Sequence, residues 1–295
     1  MTPSSLFKSH PVAWPVAVLA VAMVSVQLGA ALVKQLFPVL GVSGATTLRL
    51  VLASLMLLAV FRPWRMRPTP AAARSILVYG LAMGVMNFCF YSSLNRIPLG
   101  IAVALEFTGP LAVAIAASHR AVDYLWVALA ALGLLALLPL GVGSKSLSPI
   151  GIAFALAAGV CWAAYIVFGQ KAGAAHGGST TALGTVVGAA VVAPFGIAHA
   201  GAALVSPAIL PAACGVALLS SALPYSLEMY ALTRLPTRTF GVLMSAEPAL
   251  GAMSGLIFLH ESLTVIQWAA IASIMAASGG SAATSRPARA TLLEG

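Results

Sequence analysis

Residues 95–110 read NRIPLGIAVALEFTGP, and residues 233–248 read TRLPTRTFGVLMSAEP. The two stretches align without a gap at a spacing of 138 residues, which sets Arg96 on Arg234, Pro98 on Pro236 and Pro110 on Pro248. Farther along the chain Asp123 and Glu261 keep the same spacing, and Lys34 and Lys171 miss it by one residue. An offset shared by prolines, an arginine and acidic residues marks an internal duplication, and a repeat of this length fixes the architecture before any single motif does.

The solvent of that duplicated unit follows from composition. Of 295 residues 61% are hydrophobic and 7% charged, with a mean hydropathy of +1.02. Too little polar surface is left to cover a water-soluble fold, so lipid is the solvent. At about 20 residues per crossing, the apolar runs give ten predicted spans: 14–33, 44–61, 75–95, 98–117, 124–141, 149–169, 180–198, 209–231, 237–259 and 265–283. The expected fold is an all-α integral membrane protein of about ten transmembrane helices, with halves at 14–141 and 149–283 and a short cytoplasmic tail at 284–295. Each half holds an odd number of spans, so the second copy must cross in the opposite sense to the first. Inverted repeats can exchange conformations, which is the usual basis of alternating access to a solute site near the bilayer midplane.

The first apolar run is too long for a signal peptide and lacks a small-residue cleavage site, so it reads as a span. Cys89, Cys161 and Cys214 fall inside separate apolar segments without CxxC spacing and read as core fillers. The net charge of +9 does not imply nucleic acid, because the basic residues are scattered through short loops. With the N-terminus inside, the cytoplasmic segments collect Lys8, Arg62, Arg65, Arg67, Arg74, Arg120, Lys171, Arg234, Arg238, Arg286 and Arg289. The other side holds only Lys34, Arg96 and Lys145, so the positive-inside rule sets both termini in the cytoplasm.

Charge at bilayer depth is costly enough to mark a cavity or a partner. Arg49 lies in the second predicted span, Glu106 in the fourth, Glu228 in the eighth and Glu247 in the ninth. Glu228 is close enough to the cytoplasmic end to snorkel, or to pair with Arg234 or Arg238. Structural ion pairs fixing helix register are the alternative role for all four. On the third span Gly80, Gly84, Asn87 and Tyr91 share one helical face, and on its repeat mate Ser221, Tyr225 and Glu228 do the same. Asn87, Tyr91, Tyr225 and Gln27 are therefore candidates either for lining a cavity or for bonding between helices. Pro110 and Pro248 break equivalent spans, each beside a carboxylate, and paired breaks in corresponding spans point to a transport site. Three GxxxG pairs, Gly80 with Gly84, Gly184 with Gly188 and Gly251 with Gly255, suit close helix packing.

Rival chemistries fare worse. GVSG at 41–44 matches the GxSG of rhomboid-type serine proteases, but the expected position of Ser43 is a connecting loop. Every histidine is expected at a span end or in a loop, away from a base's place beside that serine. His260 and Glu261 do not begin an HExxH motif. The sequence asks for no metal and no cofactor, and it argues against an enzyme. A channel or a non-transporting subunit would not require duplicated halves with kinked, carboxylate-bearing helices.

These residues carry a resemblance. PLGIAVALEFTGPLAVA (98–114), ALPYSLEM (222–229) and ALTRLPTRTFGVLMSAEPAL (231–250) resemble the drug/metabolite transporter superfamily, whose members carry two EamA-type domains. With RPWR at 62–65 the resemblance extends over nearly the whole chain, and it is closest to the bacterial inner-membrane exporters of threonine and homoserine. It implies efflux of small neutral amino acids, driven by proton exchange, through a central cavity open to each side in turn; other metabolites or drugs are the alternative cargo. Glu106 and Glu247 depart from the duplication, since the position 138 after Glu106 is Met244 and that 138 before Glu247 is Gly109. A symmetric role for the two carboxylates is thereby in question.

The charge asymmetry predicts that a membrane-impermeant thiol reagent applied from outside misses a cysteine placed at Arg67 and reaches one placed at Lys145. The reverse labelling pattern would invert the orientation.

Overall fold

Proline and a hydroxyl-bearing cap start several of the helices. Thr69 Oγ1 accepts from the Ala72 N–H at 3.3 Å and Pro70 follows it, while Ser148 Oγ accepts from the Gly151 N–H at 3.3 Å and Pro149 follows that. A capping oxygen satisfies an orphan donor, and the proline ring supplies a preset φ where no N–H is needed. The computed structural model describes residues 13–116, 121–137, 147–232, 234–235, 240 and 243–284. Within them the chain is helical throughout: α1 Ala13–Gln35, α2 Phe37–Phe61, α3 Pro70–Leu94, α4 Leu99–Glu106, α5 Thr108–Ala116, α6 Ala121–Leu137, α7 Pro149–His176, α8 Gly178–Ala200, α9 Leu210–Ala217, α10 Leu223–Leu232, α11 Glu247–Leu259 and α12 Val265–Thr284. A π-helical turn, Leu218–Ala222, joins α9 to α10.

Among the described residues six helices are long and apolar enough to cross a membrane, Trp14–Gln35, Phe37–Phe61, Pro70–Leu94, Pro149–Gly173, Gly178–Val205 and Leu210–Ala231. Shorter apolar stretches lie at Leu99–Val113, Tyr124–Ala136, Glu247–Leu259 and Val265–Ser281. Large apolar side chains also face outward, among them Val39, Val60, Val160 and Ile197. A helix apolar on both its inward and outward faces belongs in lipid.

Several predicted boundaries shift for identifiable reasons. The second span was expected from residue 44, yet α2 begins at Phe37 with Pro38 in its first turn. Gly41, at φ 65° and ψ 174°, kinks the helix there. Ser43 therefore lies inside α2 rather than in a loop, and His199 at the end of α8 packs against Gly41. The fourth span is divided at Phe107. Pro110 has no N–H to give to the Glu106 carbonyl, so the ladder breaks between α4 and α5. Of the span expected over 237–259, only α11 and residues 240 and 243–246 are described.

Close approach of backbones holds the helices together. A Cβ added to Gly80 would lie 2.8 Å from the Gly184 carbonyl oxygen, and one added to Gly84 would lie 2.9 Å from that of Gly188. Two of the GxxxG pairs thus face each other across α3 and α8, leaving dispersion between main chains as the attraction. On one flank of the bundle Lys34 Nζ donates to Glu261 Oε1 at 2.5 Å, and Glu261 Oε2 accepts from the Leu99 N–H at 2.7 Å. One carboxylate thus ties the end of α1 to the start of α4 and the α11–α12 connection.

The tightest contact lies just beyond the break in the fourth span, where a Cβ on Gly109 would sit 1.9 Å from the Gly159 carbonyl oxygen of α7. Backbone cannot yield as a side chain can. Gly109→Ala is expected to destabilise the protein by about 3 kcal/mol, the upper end of overpacking costs. Gly215→Ala, where a Cβ meets nothing within 4 Å, is expected to be neutral or slightly stabilising. Thermal midpoints of the purified variants in one detergent check the pair; equal midpoints would refute the contact.

Candidate functional site

Arg49 projects from α2 into the bundle and is 2% exposed. Its guanidinium does not meet a carboxylate. Nη2 donates to Asn87 Oδ1 on α3, and Nη1 donates to Ser221 Oγ and, at 3.3 Å, to the Ser220 carbonyl. Both serines belong to the π turn, whose widened ladder is a common device at functional sites. Tyr91 lays its ring 4.6 Å from Arg49 Cζ and adds a cation–π contact. Nε–H has no acceptor among the described residues. The positive charge is therefore oriented by neutral groups and left unneutralised, and the structural ion pair considered for Arg49 is absent among the described residues.

The π turn is itself held from α1. Ser25 Oγ donates to the Leu219 carbonyl at 2.7 Å, and Gly29 packs directly on the Ser220 backbone. Asn87 links the two halves of the chain. Its Nδ2 donates to the Met83 carbonyl at 2.8 Å and to Tyr225 Oη at 3.4 Å, so Asn87 is engaged at both ends of its amide.

These groups border one cavity of about 70 Å³, walled by α1, α2, α3, α4, α7, α10, α11 and the π turn. All eight polar candidates picked out above, Gln27, Arg49, Asn87, Tyr91, Glu106, Tyr225, Glu228 and Glu247, line it. Glu106 closes α4 and Glu247 opens α11; both are buried, while Glu228 on α10 is half-buried. None of the three carboxylates has a hydrogen bond or ion pair among the described residues. For Glu228 this replaces the expected pairing with Arg234 or Arg238: Glu228 points to the cavity, Arg234 stacks on the Tyr230 ring at 3.7 Å, and Arg238 lies outside the described residues. No group of histidine, cysteine, aspartate or glutamate side chains suited to a metal ion occurs among the described residues.

Pro110 and Pro248 do not line the cavity; they shape its walls. Pro110 frees the Glu106 carbonyl at the end of α4, and Pro248 stands in the first turn of α11, after a turn at Ser245 and Ala246. The chain also supplies wall residues not singled out from sequence, chiefly Trp162 and Tyr165 on α7, Ser220, and Phe90 on α3. Trp162 meets Phe107 edge to face at 5.2 Å, and Tyr165 leans on Tyr79 at 4.6 Å. A signal for Tyr165 was available, since it stands 138 residues after Gln27. Phe90 carries the same mark, standing 138 residues before Glu228, whereas Trp162 has none in an apolar sequence.

An amphoteric cavity of this kind, with an unneutralised guanidinium facing unpaired carboxylates, matches a zwitterion in chemistry. Comparison with known proteins agrees in class. The model of the EamA-like transporter family matches residues 149–281. Threonine/homoserine exporter RhtA of Salmonella typhimurium (strain LT2) is 56% identical over 276 residues, covering 94% of each chain. Threonine/homoserine exporter RhtA of Escherichia coli (strain K12) is 55% identical over 284 residues, covering 96% of each. A solved crystal structure with 17% sequence identity superposes with a TM-score of 0.63 over 91% of this chain and 97% of its own, and so shares the fold. With such identity across nearly its whole length, the chain belongs to the EamA-like transporter family and is a multi-pass bacterial membrane protein, a transporter and not an enzyme.

Proposed function

We propose that this protein exports threonine, homoserine and similar small neutral amino acids from the cytoplasm across the bacterial inner membrane in exchange for protons. The observation that carries the reading is the cavity, in which an arginine without a carboxylate partner faces Glu106, Glu228 and Glu247. A zwitterion satisfies both poles. Its carboxylate is drawn to Arg49, and its ammonium to a carboxylate at a helix break. The names of the relatives, which are 55–56% identical, supply the cargo.

The proposed architecture is ten spans in two inverted EamA-like repeats, 14–141 and 149–283, with both termini cytoplasmic. Packing supports it. α3 lies on α7 as α1 lies on α10, and α3 lies on α8 as α2 lies on α9 and the π turn. α2 on α8 and α6 on α12 set each helix against its own counterpart, and α4 on α11 sets the fourth predicted span against the ninth. The hydrogen bond between Asn87 and Tyr225 joins residues 138 apart, the spacing of the repeat, and Gln27 with Tyr165 and Phe90 with Glu228 are cavity-lining pairs at that same spacing. The turns at Phe107 and Ser245 are a further such pair.

A cavity of about 70 Å³ is well below the roughly 300–1,000 Å³ of open ligand pockets, so admission of a solute requires the halves to part. Parting toward one side and then the other is alternating access. Proton and substrate ammonium then compete for one carboxylate, and Glu106, at the end of α4, is the first choice for that group. Protonated from outside, it releases the ammonium; deprotonated inside, it accepts the next.

Vesicles containing the full chain are expected to show saturable counterflow of labelled threonine and homoserine, which a fixed pore would not give. Glu106→Gln keeps the shape and removes the titration. It is expected to abolish accumulation driven by a pH gradient while leaving insertion intact, and accumulation at the normal rate would remove Glu106 from the coupling role.

Arg49→Lys supplies a charge but not a fork able to hold Asn87 and Ser221 together. Threonine transport is expected to fall about tenfold or more, the order of one charge-assisted hydrogen bond, at an unchanged membrane level. An unaltered rate and concentration dependence would mean that Arg49 does not hold the substrate.

A further inference from the structure

Gln27 sits on α1 at 5% exposure and lines the cavity, yet Oε1 has no hydrogen-bond partner. No bond to its Nε2 occurs among the described residues either. A buried amide is ordinarily satisfied, and one left open in a cavity wall is waiting for something that is absent. Two neutral groups of the same wall, Asn87 and Ser220, are already engaged. Asn87 serves Arg49, Met83 and Tyr225, and Ser220 Oγ donates to the Val216 carbonyl at 2.6 Å. Room for the amide comes from across the interface: a Cβ on Gly251 of α11 would lie 3.1 Å from Gln27 Oε1, so the glycine leaves the amide space to turn.

Resting on the export reading above, the ligand's two charged ends are taken by Arg49 and a carboxylate. What remains to be recognised is the side chain. Threonine carries its hydroxyl on Cβ and homoserine on Cγ, and removing it from either gives the same compound, 2-aminobutyrate. A hydroxyl both donates and accepts, so it can pair with either end of an amide. We infer that Gln27 is the specificity-determining residue for the substrate hydroxyl, its amide taking up the group that threonine and homoserine share. A site built to bond a hydroxyl discriminates strongly against the analogue lacking it, because the site's own polar group is then left unpaired.

Counterflow with purified full-length protein in vesicles tests this on three labelled substrates, threonine, homoserine and 2-aminobutyrate. The wild type is expected to show a KM for the two hydroxy amino acids at least about tenfold below that for 2-aminobutyrate. Gln27→Leu and Gln27→Met, two variants of similar bulk, are expected to raise the first two values about tenfold and leave the third unchanged, bringing the ratio near one. A purely structural role would move all three together and keep the ratio, which would overturn the inference. Equal KM values for all three in the wild type would overturn it too, with the export reading intact. Transport of none of the three by the wild type would overturn the export reading, and this one with it.

Discussion

A guanidinium buried in an apolar bundle is the constraint around which this structure is arranged. Taking such an ion out of water costs several kcal/mol even after relaxation, and a facing carboxylate is the common remedy. Here the remedy is neutral: the amide oxygen of Asn87, the hydroxyl of Ser221, the carbonyl of Ser220 and the ring of Tyr91. Each belongs to a different packing problem. Ser220 and Ser221 can reach Arg49 because the chain makes a π turn, and that turn is fixed by Ser25 and Gly29 of α1. Asn87 is in place because α3 lies against α8 through glycines and against Tyr225 through its amide. Neutral acceptors orient a charge without cancelling it, which leaves the arginine's field available to an anion arriving in the cavity.

That availability has a mechanical counterpart. Helices that meet through Gly80, Gly84, Gly184 and Gly188 bring their backbones close, with Val187, Val191 and the Tyr79 ring set into the notches the glycines leave. The turn at Phe107 divides the fourth span into half-helices beside the cavity, and a turn at Ser245 and Ala246 precedes α11. Beside them the Asn87–Tyr225 bond joins α3 to α10 across 138 residues of sequence.

Much of this was legible in the sequence because lipid simplifies the code. In water a lone Arg49, Glu106 or Gln27 would say little; among spans of Val, Leu and Ala each is conspicuous, and all eight polar candidates line one cavity. Proline was equally readable, since the loss of one N–H has a fixed address four residues back. The start of α2 was hidden by Gly41, whose positive φ lets a helix turn and resume where hydropathy alone suggests a loop. The π turn at Leu218–Ala222 has no sequence signature, and Trp162 differs from an apolar filler only by what it touches. For Glu228 proximity in sequence offered a basic partner as one alternative, and the helical phase it shares with Ser221 and Tyr225 offered the cavity, which it lines.

The departure of the two carboxylates from the repeat has a steric origin. Gly109 occupies the position equivalent to Glu247, and its Cα lies against the Gly159 carbonyl so closely that no Cβ fits. A carboxylate cannot stand there. In the first copy it stands three residues earlier, at Glu106, on nearly the same helical face but on the other side of the break. The shift reverses its electrostatic setting. Glu247 opens α11, at the positive end of its helix dipole, whereas Glu106 ends α4, at the negative end. The two acids are thus not duplicates. One stands at the start of a helix and the other at the end of one, four residues before a proline that has no N–H to give to its carbonyl.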